Sequence, residues 1–183
     1  PEAVALARTL EKPILLSVGY AACHWCHVMA HESFENPDIA ALMNERFVNI
    51  NVAREERPDI DTIYMTALHL LGQQGGWPLT MFLTPDGEPF WGGTYFPPVG
   101  RFGRPGFPEV LEGLANTYHE SPGKIADAAA SLRERIAGMA TSQAGGAVAV
   151  GINDQAAARM VAQYDMVEGG LGAAPKFPNP SSL

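Results

Sequence analysis

The sequence predicts an α/β domain in which a central mixed sheet is flanked by helices and followed by extra C-terminal helices. Apolar runs at 14–18 and 47–52 alternate with segments of helical periodicity. A third apolar run, 79–83, is followed by a turn signal at 85–87, which predicts an antiparallel hairpin with 88–91. With 183 residues, of which 46% are hydrophobic, the chain can bury one good core.

The first elements follow from local signals. A short helix is predicted from Ala3 to Leu10, and Lys12-Pro13 ends it before the strand 14–18. A second helical stretch begins near Cys23. It carries the apolar residues Val28, Met29 and Phe34.

Two further helices complete the predicted alternation of strands and helices. Asn36 is a typical N-cap, and the proline that follows it suits the first helical position, so a third helix begins there and leads to the strand 47–52. After the charged loop 54–58, apolar residues recur at helical spacing between Ile60 and Leu71.

The C-terminal part reads as helices separated by irregular segments. Residues 92–107 are rich in Gly and Pro and predict an ordered loop, after which two helices carry apolar faces, the second capped by Ser121. Residues 141–151 have linker composition, and Asn153 is predicted to cap a last helix. We therefore predict a domain over 1–140, and over 141–183 a linker, a helix and the start of a truncated following domain.

Charge and apolar runs limit the possible partners. The net charge is −8, and the sequence has no basic stripe that could neutralise phosphates, which argues against nucleic acid and anionic membranes as partners. No run approaches ~20 apolar residues, and the first residues lack the regions of a secretory signal. The expectation is a cytoplasmic protein.

The two cysteines are the main chemical feature. Cys23 and Cys26 are the only cysteines, and they lie three positions apart where a strand gives way to a helix. The free backbone N–H groups at a helix start favour a thiolate, and thiol pKa values in such Cys-x-x-Cys sites fall to roughly 3.5–7. We expect Cys23 to face solvent and attack a substrate disulfide, and Cys26 to resolve the mixed disulfide. A cationic His24 would stabilise the Cys23 thiolate.

Three other interpretations of the pair remain open from the residues alone. Cys23, Cys26 and His27 satisfy the Cys-x-x-Cys-His signature of covalent haem attachment, although a sheet protein does not suit it. Together with His31 they could offer four zinc ligands, but structural zinc usually takes ligands from two separated segments. The cysteines could also be small buried hydrophobic residues.

The order of these elements resembles the thioredoxin fold. The features that carry the resemblance are the strand 14–18, the cysteine pair, the strand 47–52, the Trp77-Pro78 junction, the strand 79–83 and the hairpin turn at Asp86-Gly87. In that fold the corresponding proline is cis and lies against the cysteine pair. The resemblance therefore implies a cis Trp77–Pro78 peptide bond. We expect His24, Trp25, Trp77 and Pro78 to tune the redox pair or to line a substrate groove.

Several sequence blocks resemble the spermatogenesis-associated thioredoxin-like family more closely. They lie between about residues 12 and 98 and are Gly19-Tyr20, Cys-His-Trp-Cys-His-Val-Met at 23–29, Glu32-Ser33-Phe34, Arg-Glu-Glu-Arg-Pro-Asp at 54–59, Gly-Gly-Trp-Pro-Leu-Thr at 75–80 and Gly-Gly-Thr-Tyr-Phe-Pro at 92–97. Residues 174–178 resemble the junction of that family to a large α/α-barrel domain. The resemblance implies that the chain is the N-terminal module of a longer protein.

Two positions depart from the related patterns. The family usually has Asp where this chain has Ala53. Ordinary thioredoxins carry a buried acid six residues before the first cysteine, where this chain has Ser17, and that acid moves the proton of the resolving thiol. Proton transfer from Cys26 would then depend on His24, His27, Glu32 or water.

The sequence thus predicts a thiol–disulfide oxidoreductase that requires neither an organic cofactor nor a metal. Its substrates would be protein or small-molecule disulfides and dithiols. The alternative is a non-catalytic thioredoxin-fold module that binds a partner or supports an attached glycosidase-like or epimerase-like barrel, because a fold alone does not establish an activity.

Overall fold

A computed structural model gives the fold of the chain and describes residues 2–101, 103, 105–140 and 151–172. The chain divides into two compact units, one within Pro1–Thr141 and one within Ser142–Leu183. Most of the linker predicted at 141–151, and all of the family junction predicted at 174–178, lie outside the described residues.

The first unit contains a four-stranded mixed sheet. Its strands are β1 (Ile14–Gly19), β2 (Val48–Ala53), β3 (Leu79–Leu83) and β4 (Pro89–Gly93), and they are arranged in the order β2-β1-β3-β4. β1 and β2 are parallel, whereas β3 is antiparallel to both β1 and β4. This topology confirms the predicted thioredoxin-like α/β fold.

The helices follow the predicted order, and those of the first unit flank the sheet. They are α1 (Glu2–Leu10), α2 (His24–Met29) with a π-helical continuation (Ala30–Phe34), α3 (Pro37–Arg46), α4 (Pro58–Leu70), α5 (Phe107–Glu120) and α6 (Pro122–Ala140) in the first unit, and α7 (Ile152–Ala162) in the second. None of the helices in the described part of the chain is both long and apolar enough to span a bilayer.

The local signals for α3 act as predicted. The side-chain oxygen of Asn36 accepts hydrogen bonds from the backbone N–H groups of Asp38 and Ile39, at 3.0 and 3.3 Å. These bonds satisfy two of the donors that a helix start leaves unpaired. Pro37 occupies the first turn, where its missing N–H costs nothing.

The sheet separates two apolar cores. Successive side chains of a strand point to opposite faces, so Leu15 lies in the core beneath α3 and α5, whereas Leu16 lies in the core beneath α1 and α4. In β3 the same alternation sends Phe82 to the first core and Met81 to the second. Both faces of the sheet are therefore buried, which explains why its central strands read as continuous apolar runs.

The predicted cap of the last helix is wrong. The N-cap position of α7 is Gly151, which has a positive φ of 93° and makes no side-chain cap bond. Asn153 lies one residue inside the helix, because the helix already begins at Ile152. A glycine adopts this backbone conformation without steric cost and so sets the start of the helix.

Candidate redox site

The two cysteines form a disulfide at the start of α2. Their Cα atoms are 5.2 Å apart. Cys23 is the N-cap residue, with an extended backbone (φ −78°, ψ 102°), and its Sγ accepts a hydrogen bond from the backbone N–H of Cys26 at 3.2 Å. The pair thus lies beyond the end of β1, where the sequence predicts it.

The prediction that Cys23 faces solvent is wrong for this disulfide form. Cys23 is only 2% exposed, whereas Cys26 is partly buried. The reason is the capping geometry, because a sulfur that accepts from the first turn of the helix is directed toward the helix backbone. The exposed residues of the segment 23–27 are instead His24, Trp25 and His27.

The helix that carries the cysteines widens after Met29. Residues Ala30–Phe34 form a π-helical turn, a feature that often occurs near functional sites. Ser33 is fully buried within this turn, and its hydroxyl donates to the carbonyl of Phe96 at 3.5 Å. The contact attaches the end of the cysteine helix to the loop after β4.

A cavity of about 240 Å³ adjoins Cys26. Its lining residues come from β1, the cysteine helix, β2 and the start of β3, and are Ser17, Gly19, Tyr20, Cys26, His27, Ala30, Phe34, Asn51, Val52, Ala53 and Pro78. Gly19 is needed for the close approach of β1, because a Cβ at this position would lie 3.0 Å from the Cys26 Sγ. The resolving cysteine therefore borders a cavity to which the described residues contribute no carboxylate.

His27 lies in the same cavity lining and bonds to the loop before the cysteines. Its Nε2 is 2.9 Å from the carbonyl oxygen of Ala21. The backbone N–H of Ala21 donates to Oε1 of Glu55 at 3.1 Å. His27 and Glu55 thus both bind the backbone of Ala21, in the loop that precedes Cys23.

Trp77 and Pro78 lie at the entry to β3. The peptide bond between them is cis, the conformation that the resemblance implies, and Pro78 is buried. The indole N–H of Trp77 donates to Oδ1 of Asp61 at 2.7 Å. The Trp77 ring also meets the edge of the Tyr20 ring, with the two centroids 5.8 Å apart.

Arg54 completes this cluster. Its guanidinium lies 4.1 Å from the Trp77 ring centroid, within range of a cation–π interaction. Its Nε is 3.5 Å from Oδ2 of Asp61, which is itself only 6% exposed. Asp61 was not among the site residues predicted from the sequence, although an acidic residue within an apolar helical stretch could have indicated a buried polar contact.

The charged segment 54–59, which comprises the loop and the start of α4, therefore has two parts. Arg54 and Glu55 contact the site, whereas Arg57 and Asp59 form an exposed ion pair with an N–O distance of 2.7 Å. The hydrogen bond from Arg57 lowers the pKa of Asp59 to about 2. Only this second part is a solvated charge pair.

We expect the replacement Asp61→Ala to lower the free energy of unfolding by roughly 1–3 kcal/mol, because the Trp77 indole N–H and the Arg54 guanidinium both lose their carboxylate partner. Urea denaturation followed by circular dichroism measures the change. The control is Asp59→Ala, which removes a carboxylate from the same helix at an exposed position. Equal destabilisation by the two variants would contradict the structural role of Asp61.

A second cluster lies beside Trp25. The Trp25 ring is 53% exposed and packs against Tyr95, with the centroids 5.1 Å apart. The Tyr95 hydroxyl donates to Glu32, which Arg101 also contacts at 3.1 Å. Burial, followed by the bond to Glu32, raises the pKa of Tyr95.

These contacts limit which residues can take the proton of Cys26. Glu32, a candidate from the sequence, is held by Tyr95 and Arg101 and does not line the Cys26 cavity. His24 packs its ring against Trp25 and is also absent from that lining. His27 is the candidate side chain that the cavity includes.

A four-ligand zinc site finds no support in the part of the chain that the structure describes. Cys23 and Cys26 bond to each other, and His31 pairs with Glu35 at 2.8 Å. Among the described residues, no three His, Cys, Asp or Glu side chains are grouped as a metal site would require.

Comparison with protein families gives a match over most of the chain. Residues 1–137 match the family Thioredox_DsbH, described as a protein of unknown function, DUF255. Two curated relatives confirm the resemblance to the spermatogenesis-associated family, and their identities to this chain are similar. Human spermatogenesis-associated protein 20 is 41% identical over 192 aligned residues, and the uncharacterised protein B0495.5 of Caenorhabditis elegans is 42% identical over 188.

Both relatives are much longer proteins. The alignments cover 100% of this chain but only 24% and 25% of the human and nematode proteins. The chain thus spans about a quarter of the length of the curated relatives it matches.

Two solved structures are more distant. A structure titled DsbH oxidoreductase is 14% identical, has a TM-score of 0.45, and the match covers 66% of this chain and 81% of that one. A disulphide isomerase from Xylella fastidiosa Temecula1 is 18% identical with a TM-score of 0.42, over 72% and 86% of the two chains.

Proposed function

Because the chain belongs to the Thioredox_DsbH family, we propose that its Cys23–Cys26 pair makes it a thiol–disulfide oxidoreductase. The observation that carries the proposal is the disulfide itself, formed by the only two cysteines of the chain at the start of a helix. A helix start stabilises a thiolate through its free N–H groups and dipole.

The reaction has two steps. In the reducing direction the Cys23 thiolate attacks a substrate disulfide, forms a mixed disulfide and expels one substrate sulfur as a thiolate, which takes a proton. Cys26 then loses its proton and attacks the Cys23 sulfur. This second attack releases the other substrate thiolate and leaves the Cys23–Cys26 disulfide, so the substrate gains the two electrons that the pair loses. The reverse sequence oxidises a dithiol.

Two aromatic clusters suggest where a substrate lies. One consists of Trp25 and Tyr95, and the other of Trp77 and Tyr20. We propose that an extended substrate segment lies between them and pairs its backbone with the loop before Pro78. In this role Asp61 and Arg54 fix the position of Trp77 and need not touch the substrate.

Measurement of the Cys23/Cys26 reduction potential and of turnover tests the proposal. The protein is equilibrated with graded ratios of oxidised and reduced glutathione, and the fraction of free thiols is trapped by alkylation. Potentials run from about −270 mV for thioredoxin to about −120 mV for a strong oxidant, so the value sets the direction. We expect the protein to turn over a disulfide-containing substrate protein faster than a free thiol does. No turnover, with a Cys23 thiol pKa near ~8.5, would overturn the proposal.

A second candidate function is a non-catalytic module that binds a partner or supports an attached domain. The observation that favours it is the 2% exposure of Cys23, which restricts access to the sulfur. Alkylation of the reduced protein distinguishes the two functions. Reaction of Cys23 faster than a free thiol at pH 7 supports the oxidoreductase, whereas protection of both cysteines supports the module.

The proposed domain arrangement follows the sequence. We propose a thioredoxin-like domain over 1–140 and the beginning of another domain within 141–183. The relatives that are about four times as long support the idea that further domains accompany this one.

A further inference from the structure

The second step of the proposed reaction needs a group that takes the proton of Cys26. A thiol attacks only as its thiolate, so the proton must leave the sulfur before or during the attack. Ser17 is a buried side chain beside Cys26, but a hydroxyl is not a base at neutral pH. The acceptor must therefore be another group that the cavity reaches.

The cavity beside Cys26 gives that proton a route. Its volume of about 240 Å³ leaves room for several water molecules. Ser17 and Asn51 occupy paired positions on β1 and β2 and supply polar groups to its lining. Water held by such groups can connect a sulfur to a base that it does not touch directly.

Few ionisable groups line this cavity. Within the described part of the chain, those that line it besides Cys26 are Tyr20 and His27. A phenol oxygen is a much weaker base than an imidazole nitrogen, which favours His27 over Tyr20 as the acceptor. Imidazole is the side chain whose ordinary titration lies between about pH 5 and 8, which suits a group that takes and returns a proton.

The hydrogen bond of His27 defines the tautomer of its neutral ring. Nε2 lies 2.9 Å from the Ala21 carbonyl oxygen. A carbonyl oxygen only accepts, so Nε2 carries the hydrogen and the lone pair of the neutral ring is on Nδ1. Protonation at Nδ1 leaves the bond to Ala21 intact and strengthens it, since the donor becomes charged.

The other charged groups around His27 have partners of their own. On the same helical segment, His31 pairs with Glu35. From the neighbouring loop, Glu55 accepts from the backbone of Ala21 and faces the same short segment as His27. Arg54 is engaged by Asp61 and Trp77.

We infer that His27 is the proton acceptor for Cys26, through water in the cavity. The inference rests on the proposed function and deepens it. The proton leaves the Cys26 sulfur and binds Nδ1 of His27, the Cys26 thiolate attacks the Cys23 sulfur, and the departing substrate thiolate receives a proton from His27 or solvent. His27 thus takes the role of a carboxylate, which none of the described lining residues supplies.

A two-step reaction with dithiobis(nitrobenzoate) separates the roles of the cysteines. Attack of Cys23 releases a first nitrothiobenzoate, and attack of Cys26 on the mixed disulfide releases a second, each of which is followed by absorbance. We expect His27→Gln to leave the first release unchanged and to slow the second roughly a hundredfold at pH 7. The difference in the rate of the second release between His27→Gln and the wild-type protein should decrease as pH rises, because hydroxide then removes the proton of Cys26.

The matched control is His31→Gln, on the same helical segment but outside the cavity lining, for which both releases should keep the wild-type rates. Thermal unfolding confirms that each variant is folded. A second release with the wild-type rate and pH dependence in His27→Gln would overturn the role of His27, as would equal slowing of both releases. Absence of both releases in the wild-type protein would instead overturn the proposed oxidoreductase function.

Discussion

The replacement Cys23→Ser is expected to abolish disulfide exchange, lowering the turnover of a protein disulfide by roughly a thousandfold or more, as the loss of a nucleophile does. Cys26→Ser should behave differently. Its Cys23 can still attack but cannot be displaced, so a mixed disulfide with the substrate accumulates. Turnover assays together with mass spectrometry of the non-reduced products measure both results.

The asymmetry between the two variants is the informative part of this experiment. The Cys23–Cys26 disulfide closes a very short loop, so its removal takes little chain-entropy stabilisation from the fold. The loss of activity would then be chemical and not a consequence of unfolding, which thermal denaturation of the reduced proteins checks. A mixed disulfide that accumulates in Cys23→Ser instead of Cys26→Ser would reverse the assigned roles.

Truncation of Phe82 is expected to have the largest effect on stability. Phe82 is fully buried in β3, and its ring centroid lies 5.4 Å from that of Phe47 and 5.7 Å from that of Trp91. Removal of the ring leaves a cavity that close-packed neighbours fill only in part. We expect Phe82→Ala to lower the free energy of unfolding by about 3–5 kcal/mol.

Urea denaturation followed by circular dichroism tests this value. The control is Ile63→Ala on α4, because Ile63 is 49% exposed and its truncation should change the free energy of unfolding by only about 0.5 kcal/mol. A loss below about 1 kcal/mol for Phe82→Ala would contradict its central position in the core.

Much of this fold could be predicted because its signals are local. The apolar run 14–18 becomes β1, and the Asn36 cap opens α3 through bonds to residues two and three positions later. The spacing of Cys23 and Cys26 likewise allows a disulfide without any distant contact. The cap of α7 was assigned wrongly because Asn153 has a side chain that can cap a helix, whereas Gly151, the actual N-cap, has none.

The exposure of the reactive sulfur could not be predicted in this way. Cys23 was expected to face solvent from its place at a helix start, yet it is buried. Whether a residue at a helix start is covered depends on the neighbouring elements and on the direction of its side chain. A sequence position does not specify either.

The sequence by itself determined the order of strands and helices, the faces that they bury and the presence of a cysteine pair at a strand–helix junction. These features follow from propensity, periodicity and capping, which act over a few residues. Only the tertiary structure decided which side chains meet around that pair. The bond of Trp77 to Asp61 joins residues 16 positions apart, and the bond of Tyr95 to Glu32 joins residues 63 apart. Periodicity assigns a side chain to a face, but its partner depends on how the folded elements pack against one another.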